Sequence, residues 1–119
     1  MSYVDGFVVP VPKKKRAAYV AMARKACKVW KDHGALGYTE CIADDVSWGK
    51  RTSFPRSVKL KPSEIVVYSW ITYPSRASRD RIMAKVMKDK RLAAMMNPKA
   101  MPFDAKRMIF GGFKSIVEA

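Results

Sequence analysis

The single histidine, His33, is the first residue whose type could support chemistry. An imidazole ordinarily titrates near neutrality and can therefore act as a general base. His33 also extends the apolar stripe of a predicted helix beside Trp30 and stands just before Gly34. A cation is favoured at a helix C-terminus, so we prefer the interpretation that His33 stabilises the end of that helix.

Two carboxylates, Asp5 and Glu40, lie within predicted strands. A carboxylate in a mostly apolar sheet either pairs with a cation or has a raised pKa, and a raised pKa suits a catalytic acid. We favour interior ion pairs, with Arg107 and Lys114 of the last predicted strand as the expected cations. No grouping of histidine and carboxylate has metal-ligand spacing, so neither a metal nor a cofactor is predicted.

Aromatic residues could line a binding pocket. Tyr38, Tyr68 and Trp70 lie on predicted strands, where they suit either an aromatic pocket or the core of a dimer, and the core is favoured. Trp48 lies between basic residues in a long connection. It could close over a pocket or stack on a base, although a simply packed tryptophan is commoner.

Hydrophobic periodicity and turn residues define the elements that would position these groups. A long connection over 44–62 includes a short turn or edge piece at Ser53–Leu60, and Arg91–Met96 forms a further helical turn. Two helices are predicted at Lys13–His33 and from Ser75 to about Lys90. Four strands are predicted at Tyr3–Val11, Leu36–Ala43, Glu64–Tyr73 and Arg107–Val117, where the pair Gly111 and Gly112 indicates a bulge or a close backbone approach.

The resulting order, β-α-β-β-α-β, predicts an α+β, ferredoxin-like fold with a four-stranded antiparallel sheet and two helices on one face. A sheet covered on one side should alternate apolar and polar residues, but 65–68 and 108–110 are apolar at both parities. The second face therefore needs a cover. An identical sheet is the simplest one and predicts a homodimer.

Length and composition set further limits. The 119 residues suit a single domain over 1–119. Neither a membrane span nor a signal peptide is recognisable, so a cytoplasmic protein without membrane association is expected. Cys27 and Cys41 are predicted to be buried free thiols.

The formal net charge of +14 requires that nucleic acid be weighed as a partner. RNA-recognition motifs share this element order, but they carry their aromatic motif on the third strand, whereas the similar string FGGF is on the fourth here. Basic residues instead follow the outer sides of both helices. We expect at most weak, sequence-independent binding of RNA or DNA, with four basic residues as its contact: Lys13, Lys14, Lys15 and Arg16.

Several segments together resemble the YbaA-like family of small bacterial proteins of unknown function. The resemblance covers nearly the whole chain, and the segments that carry it are Tyr3–Lys15, Val29–Leu36, Lys59–Ile71, Lys88–Met96 and Met101–Phe113. It implies the dimeric α/β-barrel form of the ferredoxin-like fold and supplies no catalytic residues. Proteins related by this fold include cofactor-free monooxygenases and small-ligand-binding proteins, which is weak support for any function.

The sequence therefore favours a homodimer that binds a small molecule near the interface between the two sheets, in a pocket lined by Tyr38, Trp70 and His33. Whether it is an enzyme stays open. The alternatives are a basic protein associated with nucleic acid, a cofactor-free enzyme resembling the monooxygenases, and a structural dimer without a ligand.

Overall fold

The computed structural model describes all 119 residues, and its elements follow the predicted order. The further helical turn predicted at Arg91–Met96 is a helix at Lys90–Met95, and a short helix at Phe54–Ser57 lies in the long connection. A 3₁₀ turn at Lys13–Lys15 precedes the first helix. The strands are β1 (Tyr3–Pro12), β2 (Gly37–Ile42), β3 (Glu64–Tyr73) and β4 (Ile109–Lys114). The helices are α1 (Arg16–Asp32), α2 (Phe54–Ser57), α3 (Arg76–Met87) and α4 (Lys90–Met95).

The four strands form one antiparallel sheet in the order β2-β3-β1-β4. The two long strands in the middle pair over their full length, from Tyr3 opposite Tyr73 to Pro12 opposite Glu64. Helices α1, α3 and α4 pack on one face of this sheet, where their buried side chains share cores with β1 and β3. The predicted α+β, ferredoxin-like fold is confirmed.

Local signals explain where the helices begin and end. Buried side chains recur along α1 at three- and four-residue spacing, from Tyr19 to Trp30. The chain leaves that helix through Gly34, whose φ of +112° is unfavourable for residues with a side chain. Ser75 caps α3, since its hydroxyl oxygen accepts a hydrogen bond from the Ser78 backbone N–H at 3.1 Å.

Residue parity decides which face of the sheet each strand residue occupies. In β3, Val67, Ser69, Ile71 and Tyr73 point toward the helices, and Tyr68 and Trp70 between them point away. Because β3 is largely apolar at both parities, it contributes to hydrophobic surfaces on both sides of the sheet.

Part of the second face is covered by the chain itself. After β2 the connection folds back across the sheet, and Val58 is buried there against Val8 and Val66. The one-turn helix α2 sits in this connection and is capped by Ser53. The sequence predicted an entirely bare second face, so this is a correction: one end of the face is already closed by 43–60.

The rest of that face is open, and we call it the uncovered sheet face. Phe113 is 64% exposed there, and Tyr68 and Ile109 are each 44% exposed. None of its positions carries a charged side chain, although 29% of the chain is charged. By register, it comprises Val4, Gly6, Thr39, Cys41, Tyr68, Trp70, Thr72, Ile109, Gly111 and Phe113.

The glycine pair in β4 permits a close approach rather than a bulge. Pairing with β1 is continuous from Tyr3 opposite Lys114 to Val8 opposite Ile109. A Cβ on Gly112 would lie 2.3 Å from the Tyr3 hydroxyl oxygen, so only glycine leaves room for that ring. Of the two predicted alternatives, the close approach is confirmed.

The guanidinium of Arg107 holds together the segments around the start of β3, and we call this set of contacts the Arg107 clamp. Its Nη1 lies 2.8 Å from the Glu64 carboxylate and 3.0 Å from the Lys59 carbonyl oxygen. Its Nε donates to Asp104 at 3.0 Å. Hydrogen bonds from Arg107 hold the pKa of Glu64 below its ordinary value. The clamp thereby fixes the connection before β3 to the segment that enters β4.

Candidate functional site

A cavity of about 400 Å³ lies between the sheet and its covering helices. Seventeen of its twenty-one lining residues are hydrophobic, and every methionine of the chain except Met1 is among them. Thioether side chains are flexible and polarisable, so a wall built from them adapts to the shape of a bound molecule. The volume falls in the range of small-molecule sites.

Both the sheet and the helices contribute side chains to the cavity lining. Phe7 of β1 and Ile71 of β3 form the sheet side, and Ala26 and Trp30 of α1 form the helix side. Phe110, at the edge of the sheet, also lines the cavity and is 72% exposed. Met87 of α3 and Met96 after α4 also line the cavity and are at least half exposed, so the cavity is open to solvent beside these residues and Phe110.

One polar group in the cavity is the Glu40 carboxylate, which two tyrosines hold. The Tyr38 hydroxyl donates a hydrogen bond to its Oε2 at 2.7 Å, and the Tyr19 hydroxyl donates to Oε1. Burial, followed by the nearby Glu40 charge, raises the pKa of both phenols well above the ordinary value. Ser69 is opposite Glu40 across the strand pair, lines the same cavity and makes no side-chain hydrogen bond within the chain. We call these four residues the Glu40 group.

The second polar group contains Asp5, which is only 5% exposed. Its Oδ1 lies 2.8 Å from Arg79 Nη1, and its Oδ2 accepts a hydrogen bond from the Tyr73 hydroxyl at 3.0 Å. The Trp30 indole N–H in turn donates to the Tyr73 oxygen at 3.1 Å. Burial raises the pKa of Asp5, and the contacts with Tyr73 and Arg79 oppose that effect. Asp5 therefore forms an ion pair inside the core, and the net effect of its surroundings is a raised pKa.

The partners of Asp5 and Glu40 differ from those that the sequence predicted. Asp5 forms an interior ion pair, but its cation is Arg79 of α3 rather than Arg107 or Lys114. Arg107 forms an ion pair with Glu64 instead. Arg79 is one of the basic residues that the sequence placed on the outer side of the second helix, and this placement is wrong, because its side chain turns inward to pair with Asp5. Glu40 has no cation within ion-pair distance, since two phenols occupy its oxygens.

The aromatic candidates do not share one pocket. Tyr38 lines the cavity, whereas Tyr68 and Trp70 lie on the uncovered sheet face with ring centroids 5.6 Å apart. Side chains alternate between the two faces along β3, so Tyr68 and Trp70 point away from the cavity. Trp48 is exposed in the connection, where its ring packs beside the Arg56 guanidinium, and it does not line the cavity.

His33 lies outside the cavity, at the end of α1. Its Nε2 is 2.8 Å from Asp89 Oδ2, and the same carboxylate contacts Arg91 and caps α4. Arg91 also reaches Asp32 at 2.7 Å. The structure therefore places His33 in an ion cluster that joins two helices, as the helix-end interpretation expects. The physical reason is that His33 is the C-cap of α1, beside Asp89 at the start of α4.

Asp89→Ala should lower the melting temperature at neutral pH, because it removes the α4 cap and the anion that faces His33 and Arg91. Hydrogen bonds from Arg91 and then His33 hold the pKa of Asp89 below its ordinary 3.8. A depressed carboxyl pKa stabilises the fold above the unfolded-state value, and this stabilisation is lost as the pH falls below it. Thermal melts from pH 7 down to pH 2 should show the variant and the wild type converging below about pH 3.8.

Asp45→Ala is the matched control, since Asp45 is exposed and forms no ion pair. It should melt like the wild type throughout this pH range. Equal melting of Asp89→Ala and the wild type at neutral pH would show that the cluster adds nothing to stability.

The residues proposed for nucleic-acid contact are all exposed. Lys13, Lys14 and Lys15 form the 3₁₀ turn, Arg16 begins α1, and none of them pairs with an acidic side chain. They form an unneutralised basic segment at the N-terminal end of α1. Nucleic-acid binding by this segment stays a prediction.

Other features bear on the class of site. No group of three or more histidine, cysteine or acidic side chains is arranged to hold a metal ion. None of the helices has the length and apolar character needed to cross a bilayer. Cys27 and Cys41 are free thiols, but neither is fully buried as predicted: Cys27 is partly exposed on α1, and Cys41 is exposed on the uncovered sheet face because β2 is an edge strand.

Three residues of the site were not singled out from the sequence for it. Tyr19 falls within the first predicted helix, Ser69 within the third predicted strand, and Arg79 among the basic residues expected on the outer side of the second helix. The spacing of Tyr19 within its helix predicts burial but gives no indication of a partner on β2. Only the packing of α1 over that strand reveals that Tyr19 and Tyr38 share Glu40.

Comparison with known families gives one match over most of the chain. The family model described as "Protein of unknown function (DUF1428)" matches residues 2–105. The uncharacterised protein YbaA of Escherichia coli strain K12 is 51% identical over 118 residues, which span 99% of each chain. A protein of Shigella flexneri with the same description matches equally well.

Solved structures resemble the fold at much lower identity. A NIPSNAP family protein from Agrobacterium tumefaciens strain C58 superimposes with a TM-score of 0.61 at 15% identity, covering 96% of this chain and 92% of that chain. A protein described as dimeric and ferredoxin-like, from an uncultured marine organism, gives a TM-score of 0.61 at 12% identity with both chains covered completely. These similarities concern the fold alone.

Proposed function

Since the chain belongs to the DUF1428 family, described as proteins of unknown function, we propose its role from its own geometry: it binds a small, mostly apolar molecule in the cavity between sheet and helices. The observation that carries the proposal is the cavity itself. Protein interiors are close-packed, and voids larger than a water molecule are few. A space of about 400 Å³ with an apolar wall and a few convergent polar groups has the form of a ligand site.

The binding unit is a homodimer in which two uncovered sheet faces pack together. Support comes from the absence of charge on that face, because depletion of charged residues is typical of interface cores. A flat antiparallel sheet face is also self-complementary about a two-fold axis. The marine protein of similar fold is described as dimeric, which agrees with this arrangement.

In this arrangement the ligand site lies within each protomer, on the helix side of the sheet. It does not lie between the two sheets, where the sequence placed the pocket with Tyr68 and Trp70. Tyr38 is the predicted pocket residue that belongs to the proposed site.

N-phenyl-1-naphthylamine, a neutral dye that fluoresces in apolar surroundings, tests the cavity directly. The wild type should bind it with enhanced fluorescence, and Ala26→Phe should weaken binding at least about tenfold, since the added ring occupies the cavity. Fluorescence titration gives the affinity, and circular dichroism checks that the variant is folded.

Ala21→Phe is the matched control, because Ala21 is on the same helix but faces solvent. It adds the same ring outside the cavity and should bind the dye like the wild type. Equal affinity of all three proteins would place the dye elsewhere and contradict the proposed site. Absence of dye binding to the wild type would contradict it as well.

A further inference from the structure

We propose that the cavity selects an amine: a ligand with an apolar body and one primary or secondary ammonium group that pairs with Glu40. This inference rests on the proposed function, because it names the chemical class of molecule that the same cavity takes. It follows from the charges that line the cavity and from their partners.

Three charged side chains line the cavity, and two of them neutralise each other. Asp5 and Arg79 form a direct pair at 2.8 Å. Glu40 is the third, and it has no cation within ion-pair distance. The cavity wall therefore carries one uncompensated negative charge in surroundings that are otherwise apolar.

The two tyrosines hold this charge without cancelling it. Both phenols stay protonated, since burial and the Glu40 charge raise the pKa of each, so they act as neutral O–H donors. An ionised carboxylate has about four acceptor positions, so about two remain free for donors from a ligand.

An ammonium group matches these free positions. It supplies a positive charge together with two or three N–H donors, and the Ser69 hydroxyl oxygen on the neighbouring strand can accept one of them. Charge pairing is stronger in an apolar site than in water. A ligand carboxylate, by contrast, would meet Glu40 as a like charge.

The long-range field of the protein predicts the opposite preference. A net charge of +14 attracts anions and repels cations. If the overall charge decided selectivity, an acidic ligand would bind best. A preference for the amine can therefore be attributed to the local Glu40 charge.

Three naphthalene compounds of similar shape provide the test: 1-naphthylmethylamine, 1-naphthylmethanol and 1-naphthylacetate. Titrations monitored by displacement of N-phenyl-1-naphthylamine, at about 0.15 M salt to screen the surface field, give the three affinities. The amine should bind at least about tenfold more tightly than the alcohol, and the carboxylate should bind least tightly.

Glu40→Gln removes the charge and keeps the shape and the acceptor oxygen. It should abolish the preference for the amine and leave alcohol binding within about twofold of the wild type. Asp45→Asn is the matched control, since it removes a carboxylate charge at an exposed position outside the cavity, and it should keep the preference.

The outcomes separate this inference from the proposed function. Equal binding of amine and alcohol, or a preference that survives in Glu40→Gln, overturns the inference and leaves the cavity a ligand site. If the wild type binds the dye but none of the three naphthalenes displaces it, the amine inference also fails. If the dye does not bind at all, both fail.

Discussion

Arg107→Ala is expected to lower the free energy of unfolding by about 3–5 kcal/mol, the cost typical of breaking a buried ion pair from one side. The Glu64 side chain is 5% exposed, so without the guanidinium its charge stays buried and unpaired. The carbonyl oxygens of Val58 and Lys59 lose their donor in the same step. Urea denaturation monitored by tryptophan fluorescence measures the change.

This loss is large because natural domains have only about 5–15 kcal/mol of stability in total. Lys106→Ala is the matched control, since Lys106 is the neighbouring residue and is exposed. It should unfold within about 0.5 kcal/mol of the wild type. A similar small effect for Arg107→Ala would show that the clamp is not a main source of stability.

The clamp also gives a pH dependence. Because Arg107 lowers the pKa of Glu64, the stabilisation is fully present above the ordinary value of about 4.5 and is lost as the pH falls below it. The difference between the wild type and Arg107→Ala should therefore shrink in acid. A difference that is constant from pH 7 to pH 3 would contradict the assignment of the effect to this ion pair.

Trp70→Asp is expected to convert the proposed dimer into monomer, because it places a carboxylate in the centre of the uncovered sheet face. A two-fold axis would bury two such charges per dimer, each without a cation, and one buried unpaired ion costs several kcal/mol. Sedimentation velocity at about 10 μM should show dimer for the wild type and monomer for the variant, a loss of at least about a hundredfold in affinity.

Phe113→Asp should also give a monomer. This variant separates dimer formation from folding, because Trp70 is half-buried and also supports the fold of the single chain. Phe113 is largely exposed, so its replacement leaves the core of a single chain intact. Val20→Asp, on the outer side of α1, adds the same charge elsewhere and should stay dimeric. A wild type that is monomeric at this concentration would contradict the proposed assembly.

The sequence predicted the elements well where periodicity and flanking residues agree. Strand β3 matched its predicted bounds of Glu64–Tyr73 because prolines flank the segment and β-branched residues fill it. The predicted start of the second helix at Ser75 agrees with the structure, where Ser75 caps α3. For Ser53–Leu60 the sequence left a short turn and an edge piece as alternatives, since a single helical turn has no periodicity to detect, and the structure has the helix α2 there.

The site was harder to predict because its members meet only through the crossing of helices over strands. Both parities of β3 are apolar, so the sequence cannot decide whether Trp70 or Ile71 faces the helices. The methionines around the cavity come from separate segments that share no motif. The partners in the ion pairs likewise depend on the topology. Asp5 pairs with Arg79, and Arg107 pairs with Glu64.

The alternation of β3 also limits which changes in chain length this protein can tolerate. An insertion or deletion of one residue between Ser69 and Trp70 would move every later side chain of β3 to the other face of the sheet. The sheet side of the cavity and the uncovered sheet face would both be disrupted. The connection between β2 and β3 carries no such constraint over 44–52, so natural variation in length should accumulate there.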